Sequence, residues 1–286
     1  MDIIKTIASE LEVQAWQVEA AVKLIDEGNT IPFISRYRKE ATGTLDDEQL
    51  RKLHERLVYL RNLEEKKQQV LASIEDQGKL TEELKKKILE AQTQVLVEDL
   101  YRPYRPKRRT RATIAKEKGL EGLANIILLQ MTKKPLEEEA KAYLNEEKEV
   151  CTVQDAINGA KDILAESISD EAAYRTRIRE MTEKEGVLTA EAKDEKAESV
   201  YEMYYHFQEP VSKLAGHRVL ALNRGEKEKF LNVKLEAPEE RILRYLEKQI
   251  IKKENPNTTD ILKEVAEDSY RRLIAPAIER EVRNAL

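Results

Sequence analysis

A stretch from about Asp46 to Gln77 constrains this chain more than any other, because it reads as one long helix. Leu50, Leu53, Leu57, Leu60, Leu63, Val70 and Ile74 recur at helical intervals, which lines apolar side chains along one face. Thr44, with Asp47 in the capping-box position, opens it, and Gly78 stops it. At about 1.5 Å per residue the rod would span roughly 45 Å, which predicts a scaffold spine that organises its neighbours. Glu64 and Lys67 interrupt the seam that a coiled-coil partner would need.

The remaining sequence is read mostly as helix. Charged residues make up 37%, aromatics 5%, and there are only nine glycines, a composition suited to long exposed helices. Two short helices open the chain before Gly28-Asn29, and a third begins at Thr30-Ile31-Pro32, so residues 1–40 are expected to form a helix-turn-helix-like start. Only one place reads as β. Arg218–Leu222 and Phe230–Leu235, joined through Asn223-Arg224-Gly225-Glu226, are expected to form a hairpin in which Leu231, Val233 and Leu235 share a face. The expected fold class is therefore mainly α, a multi-helix scaffold with one long helix and a small β-hairpin. Residues 1–200 form its helical domain and 201–286 carry the hairpin and further helices. Pro276 is expected to bend the last helix. The period of Ile274, Ile278, Val282 and Leu286 runs to the final residue, which predicts a polypeptide that continues further.

Chemistry-bearing constellations are not apparent. His54, His206 and His217 lack metal-ligand spacing with one another or with Cys151, the lone cysteine, so no metal, cofactor or catalytic residue is assigned and the chain is not expected to be an enzyme. No Walker loop, G-x-G-x-x-G or G-x-S-x-G occurs. Tyr201, Tyr204, Tyr205 and Phe207 suit core packing better than base stacking. Cys151 alone forms no internal disulfide, and no window approaches a membrane span, so a cytoplasmic location is expected.

The feature that points to a partner is charge. From Tyr101 to Lys118 eight Lys or Arg face the single Glu117, a formal +7 in a chain whose total is -5. Pro103 and Pro106 disfavour helix before them, so Arg102, Arg105, Lys107, Arg108, Arg109 and Arg111 are expected on an extended loop. Each cation that neutralises a phosphate releases counterions, so the loop is read as a contact for an RNA or DNA backbone, with Arg36, Arg38 and Lys39 extending the patch. The competing reading is a clamp against carboxylates of the same chain.

Several segments together resemble the Tex family of bacterial transcription accessory proteins. They are Asn29-Thr30-Ile31-Pro32-Phe33-Ile34-Ser35-Arg36-Tyr37-Arg38-Lys39-Glu40, the run from Val95 to Thr110, Ala156–Glu166, Glu209–Lys213 with His217-Arg218, and Ile274–Glu281. The resemblance implies a transcription-related nucleic-acid-binding protein similar to eukaryotic elongation factors, with no established catalytic activity. It also implies that RNase H-like, helix-hairpin-helix and OB-type RNA-binding domains follow this region. RNA polymerase and those downstream domains are then expected partners, with a protein-interaction module as the alternative role.

Overall fold

The computed structural model describes residues 1–286, and they group into two compact units, Met1–Tyr104 and Arg105–Leu286. The boundary expected from the sequence lay at residue 200. The structure is mainly α with one small antiparallel sheet.

In the first unit, α1 (Ile3–Leu11), α2 (Ala15–Asp26), α3 (Ile31–Tyr37) and α4 (Lys39–Thr42) precede the long α5 (Asp47–Asp76), and α6 (Glu82–Glu90) and α7 (Gln94–Tyr101) follow it. The 30-residue α5 is the spine: α1, α2, α3, α6 and α7 all pack on it. Every residue of its expected stripe is buried. Its start differs from expectation. Asp46 is the N-cap, accepting the Gln49 N–H at 2.8 Å while the Gln49 side chain accepts the Asp46 N–H at 3.0 Å. Thr44 sits instead in the preceding turn with φ +69°. Lys67, expected to break the seam, is wholly buried.

In the second unit, α8 (Arg111–Glu117), α9 (Glu121–Leu129) and α10 (Leu136–Lys141) pack around α11 (Val153–Ser169), and α12 (Ala172–Glu185) follows. Then come β1 (Val187–Ala192), β2 (His206–Pro210), α13 (Gly216–Lys227), β3 (Leu231–Glu236), α14 (Glu239–Ile250), α15 (Thr259–Asp268) and α16 (Ala275–Asn284). The sheet has the order β2-β1-β3, with Val187 opposite both Pro210 and Glu236.

The expected hairpin is half right. Its second arm is β3, whose Leu231, Val233 and Leu235 are buried, but Arg218–Leu222 belongs to α13 and the partner strand is β1. A four-residue apolar run fits either structure. Here Val219, Leu222 and Gly225 recur every third residue on the buried face, while Leu220 stands 70% exposed, as helix geometry requires. Tyr201, Tyr204 and Tyr205 are buried. The Tyr205 hydroxyl donates to the Ala197 carbonyl at 2.6 Å and that of Tyr201 to Glu228 at 2.9 Å, so this cluster is core. Pro276 lies in the first turn of α16, directly after a π-helical turn at Ser269–Ile274. A wider turn of this kind and a proline are both common sites at which a helix changes direction.

Candidate nucleic-acid interface

The basic run is not one extended loop. In the first unit α7 reaches Tyr101, and Arg102–Tyr104 form a 3-10 turn. Tyr101 and Ser73 share a 2.9 Å hydrogen bond between hydroxyls, and the Gln77 amide donates to the Tyr104 carbonyl at 2.7 Å, which fastens this turn to the end of α5. Arg102 is therefore half-buried, and its Nε is enclosed with no hydrogen-bond acceptor. Continuation of the helix through Tyr101 satisfies the backbone donors, which outweighs the preference set by Pro103.

In the second unit Arg105–Arg109 have no regular structure, and α8 then begins at Arg111. Thr110 caps that helix: its hydroxyl accepts the Thr113 N–H at 3.1 Å, and the Thr113 hydroxyl accepts the Thr110 N–H at 2.8 Å. Ala112 and Ala115 bring α8 close to α11. A Cβ added at Gly159 would lie 3.3 Å from that of Ala115 and 2.2 Å from Leu120 Cδ1. The segment is thus held between a capped helix and an ion pair. Lys107 turns its ammonium inward to the carboxylates of Glu166, at 3.3 Å, in the last turn of α11, and of Asp170, the C-cap of that helix. These three side chains are 23%, 15% and 14% exposed, and carboxylates there were not assigned to Lys107 by any sequence signal.

The neighbours of Lys107 behave differently. Arg108 is exposed and makes no ion pair or hydrogen bond. Arg109, 73% exposed, approaches only Glu117 at 3.9 Å. Arg105 and Arg111 are exposed as well. Arg111 lines a cleft of about 280 Å³ with Lys118, Asn158 and Asp162. Burial pushes the Asp162 carboxyl above the ordinary aspartate value, against the pull of Arg272 and Arg111. Of the expected contacts, then, Lys107 is an internal clamp, Arg102 is half-buried, and Arg105, Arg108, Arg109 and Arg111 face solvent. Arg36, Arg38 and Lys39 lie together in the first unit at the end of α3 and the start of α4, all exposed. No group of three or more His, Cys, Asp or Glu side chains is arranged to hold a metal ion, and no helix is long and apolar enough to cross a membrane.

Comparison with known proteins matches residues 1–75 to the Tex-like protein N-terminal domain and residues 130–286 to the Tex central region-like family. The chain is 50% identical over 283 residues to the uncharacterized protein YdcI of Bacillus subtilis, covering 98% of this chain and 39% of that protein. It is 43% identical over 238 residues to the transcriptional accessory protein Tex of Neisseria gonorrhoeae, covering 82% of this chain and 31% of the relative. Human S1 RNA-binding domain-containing protein 1 is 30% identical over 301 residues, which span 30% of that protein. The chain thus spans well under half the length of these relatives. With both regions matched in order along the sequence, this chain belongs to the Tex family.

Proposed function

We propose that the chain is a non-catalytic helical scaffold within a transcription-related nucleic-acid-binding protein, and that Arg105–Arg111 rests against a phosphate backbone without reading bases. The observation that carries this is the contrast between Lys107 and its neighbours. One cation pins the segment to α11 while the guanidinium groups of Arg108 and Arg109 remain outward, available to replace counterions on a polyanion. A relative named as a transcriptional accessory protein and another named for an S1 RNA-binding domain support the same setting.

The test is a salt titration of duplex DNA and RNA binding by the unaltered chain and by Arg108→Ala/Arg109→Ala. Loss of two phosphate contacts lowers affinity for every sequence alike and reduces the slope of log K against log salt by about 1.8 for duplex DNA. Unchanged affinity and slope would remove this role.

The second reading is a protein-interaction module that docks RNA polymerase or other domains of the same polypeptide. It is favoured by Lys107, which already serves as a clamp, and by Leu128, Leu129 and Met131, exposed side by side at the end of α9. Capture of a partner that survives nuclease treatment, together with a wild-type salt slope in the double variant, would select it.

A further inference from the structure

We propose that α3 and the turn after it form a stacking platform for single-stranded nucleic acid, built from the rings of Phe33 and Tyr37 and the cations Arg36, Arg38 and Lys39. This rests on the reading that the protein binds nucleic acid, but not on the Arg105–Arg111 segment.

Ile34 is the residue that α3 commits to the core, with no exposed surface. Phe33 and Tyr37, four residues apart and so on one face, are left 42% and 66% exposed. Their ring centroids lie 5.3 Å apart with the planes tilted by 45°. Each ring therefore supports the other while keeping a surface open to solvent. Two exposed aromatics that hold each other in place are what an unstacked base can lie on at little cost in side-chain entropy.

The charges around the rings are unusual for this unit. Residues 1–104 hold 16 Lys and Arg against 20 Asp and Glu, so the unit is acidic. Three of its other arginines and several of its lysines are tied to carboxylates: Arg51 to Asp47, Arg56 to Glu10, Arg61 to Asp26, Lys52 to Glu48 and Lys87 to Glu83. Arg36, Arg38 and Lys39 have no such partner, although Glu40 is adjacent in sequence. Cations left unpaired beside open rings match a ligand that presents phosphates and bases at once. A duplex keeps its bases stacked on each other and offers the rings nothing, so the ligand is a single strand. Single strands have no fixed sequence requirement here, because every base has a π-face.

The experiment measures binding of a labelled oligothymidylate, and of a duplex with the same number of phosphates, by fluorescence anisotropy with the whole 286-residue chain. Tyr37→Ala is expected to weaken oligothymidylate binding by roughly fivefold or more, the lower end of what one base stack contributes, and to leave duplex binding unchanged. Tyr37→Phe keeps the ring and is expected to bind as the unaltered protein does. If Tyr37→Ala binds the single strand normally while Arg108→Ala/Arg109→Ala binds it less well, the platform is wrong and the phosphate-contact reading stands. Binding of neither oligonucleotide by the unaltered chain overturns both. Equal losses for single strand and duplex in Tyr37→Ala, or a loss in Tyr37→Phe, also overturn stacking. Photocrosslinking of a bromouracil-substituted strand to the unaltered protein reads the site without any substitution. Adducts are expected on the peptide containing Phe33 and Tyr37, and adducts confined to other peptides reject the proposal.

Discussion

The ammonium of Lys67, on α5, donates a 2.8 Å hydrogen bond to the carbonyl oxygen of Leu89 in the last turn of α6, with none of the lysine side chain exposed. Helix C-terminal carbonyls carry partial negative charge, so a cation is favourable there, and Glu64 at 3.3 Å completes its surroundings. The charge therefore sits inside the first unit, where its length reaches a backbone acceptor on a neighbouring helix.

Lys67→Ala is expected to destabilise the first unit by about 3 kcal/mol, combining a cavity with an orphaned carbonyl, and Lys67→Met by about 1–2 kcal/mol because most of the volume stays. Hydrogen exchange of α5 and α6 amides reads the difference, since the second unit serves as an internal reference. Wild-type protection in Lys67→Ala would show that the bond contributes nothing.

Asp26 and Arg61 join α2 to α5 by a bidentate pair at 2.8 and 2.9 Å. The Arg61 hydrogen bonds hold the Asp26 carboxyl below the ordinary aspartate value. The folded state thus binds fewer protons than the unfolded one in this range, so the stabilisation is present above the ordinary aspartate pKa and is lost as pH falls through the lowered value. Both side chains are nearly half exposed, so the effect is small. Asp26→Asn is expected to melt a little below wild type at neutral pH, and the two melting curves converge as the pH drops toward the lowered value. A gap that persists in strong acid contradicts the assignment.

Gly159 lets α8 approach α11. Gly159→Ala places a methyl group against Leu120, which is 1% exposed, so the gain in helix propensity of about 1 kcal/mol is outweighed by an overpacking cost of about 1–3 kcal/mol. Gly159→Val is expected to be worse. Thermal melts of the three proteins order as wild type, Ala, Val, and a more stable Ala variant would mean that Leu120 repacks freely.

Lys107 and Arg108 are adjacent cations in opposite settings, one paired and one exposed. Lys107→Ala removes the ammonium that bridges Glu166 and Asp170 and is expected to cost about 2 kcal/mol and to speed amide exchange across Arg105–Thr110. Arg108→Ala is expected to leave exchange unchanged and to reduce affinity for duplex DNA. The reverse pattern would exchange their roles.

Much of the architecture was legible because it is periodic. The apolar spacing along α5 and the alternation in β3 each identify a buried face without knowledge of what covers it. The first arm of the expected hairpin failed for a physical reason: Val219-Leu220-Ala221-Leu222 is compatible with both periods, and the true partner β1 lies more than thirty residues upstream with its own modest apolar content. The burial of Lys67 was not legible, because a charge within an apolar seam signals only interruption until an acceptor is found on another helix.

The sequence alone determined the helical class, the spine and the concentration of positive charge, since composition and spacing are properties of neighbouring residues. Only the tertiary structure decided which cations are spoken for. Lys107 is paired and Arg108 is not, and Arg36 is open where Arg61 is closed, because pairing depends on carboxylates brought close from elsewhere in the chain. Those distances arise from packing, which no local pattern encodes.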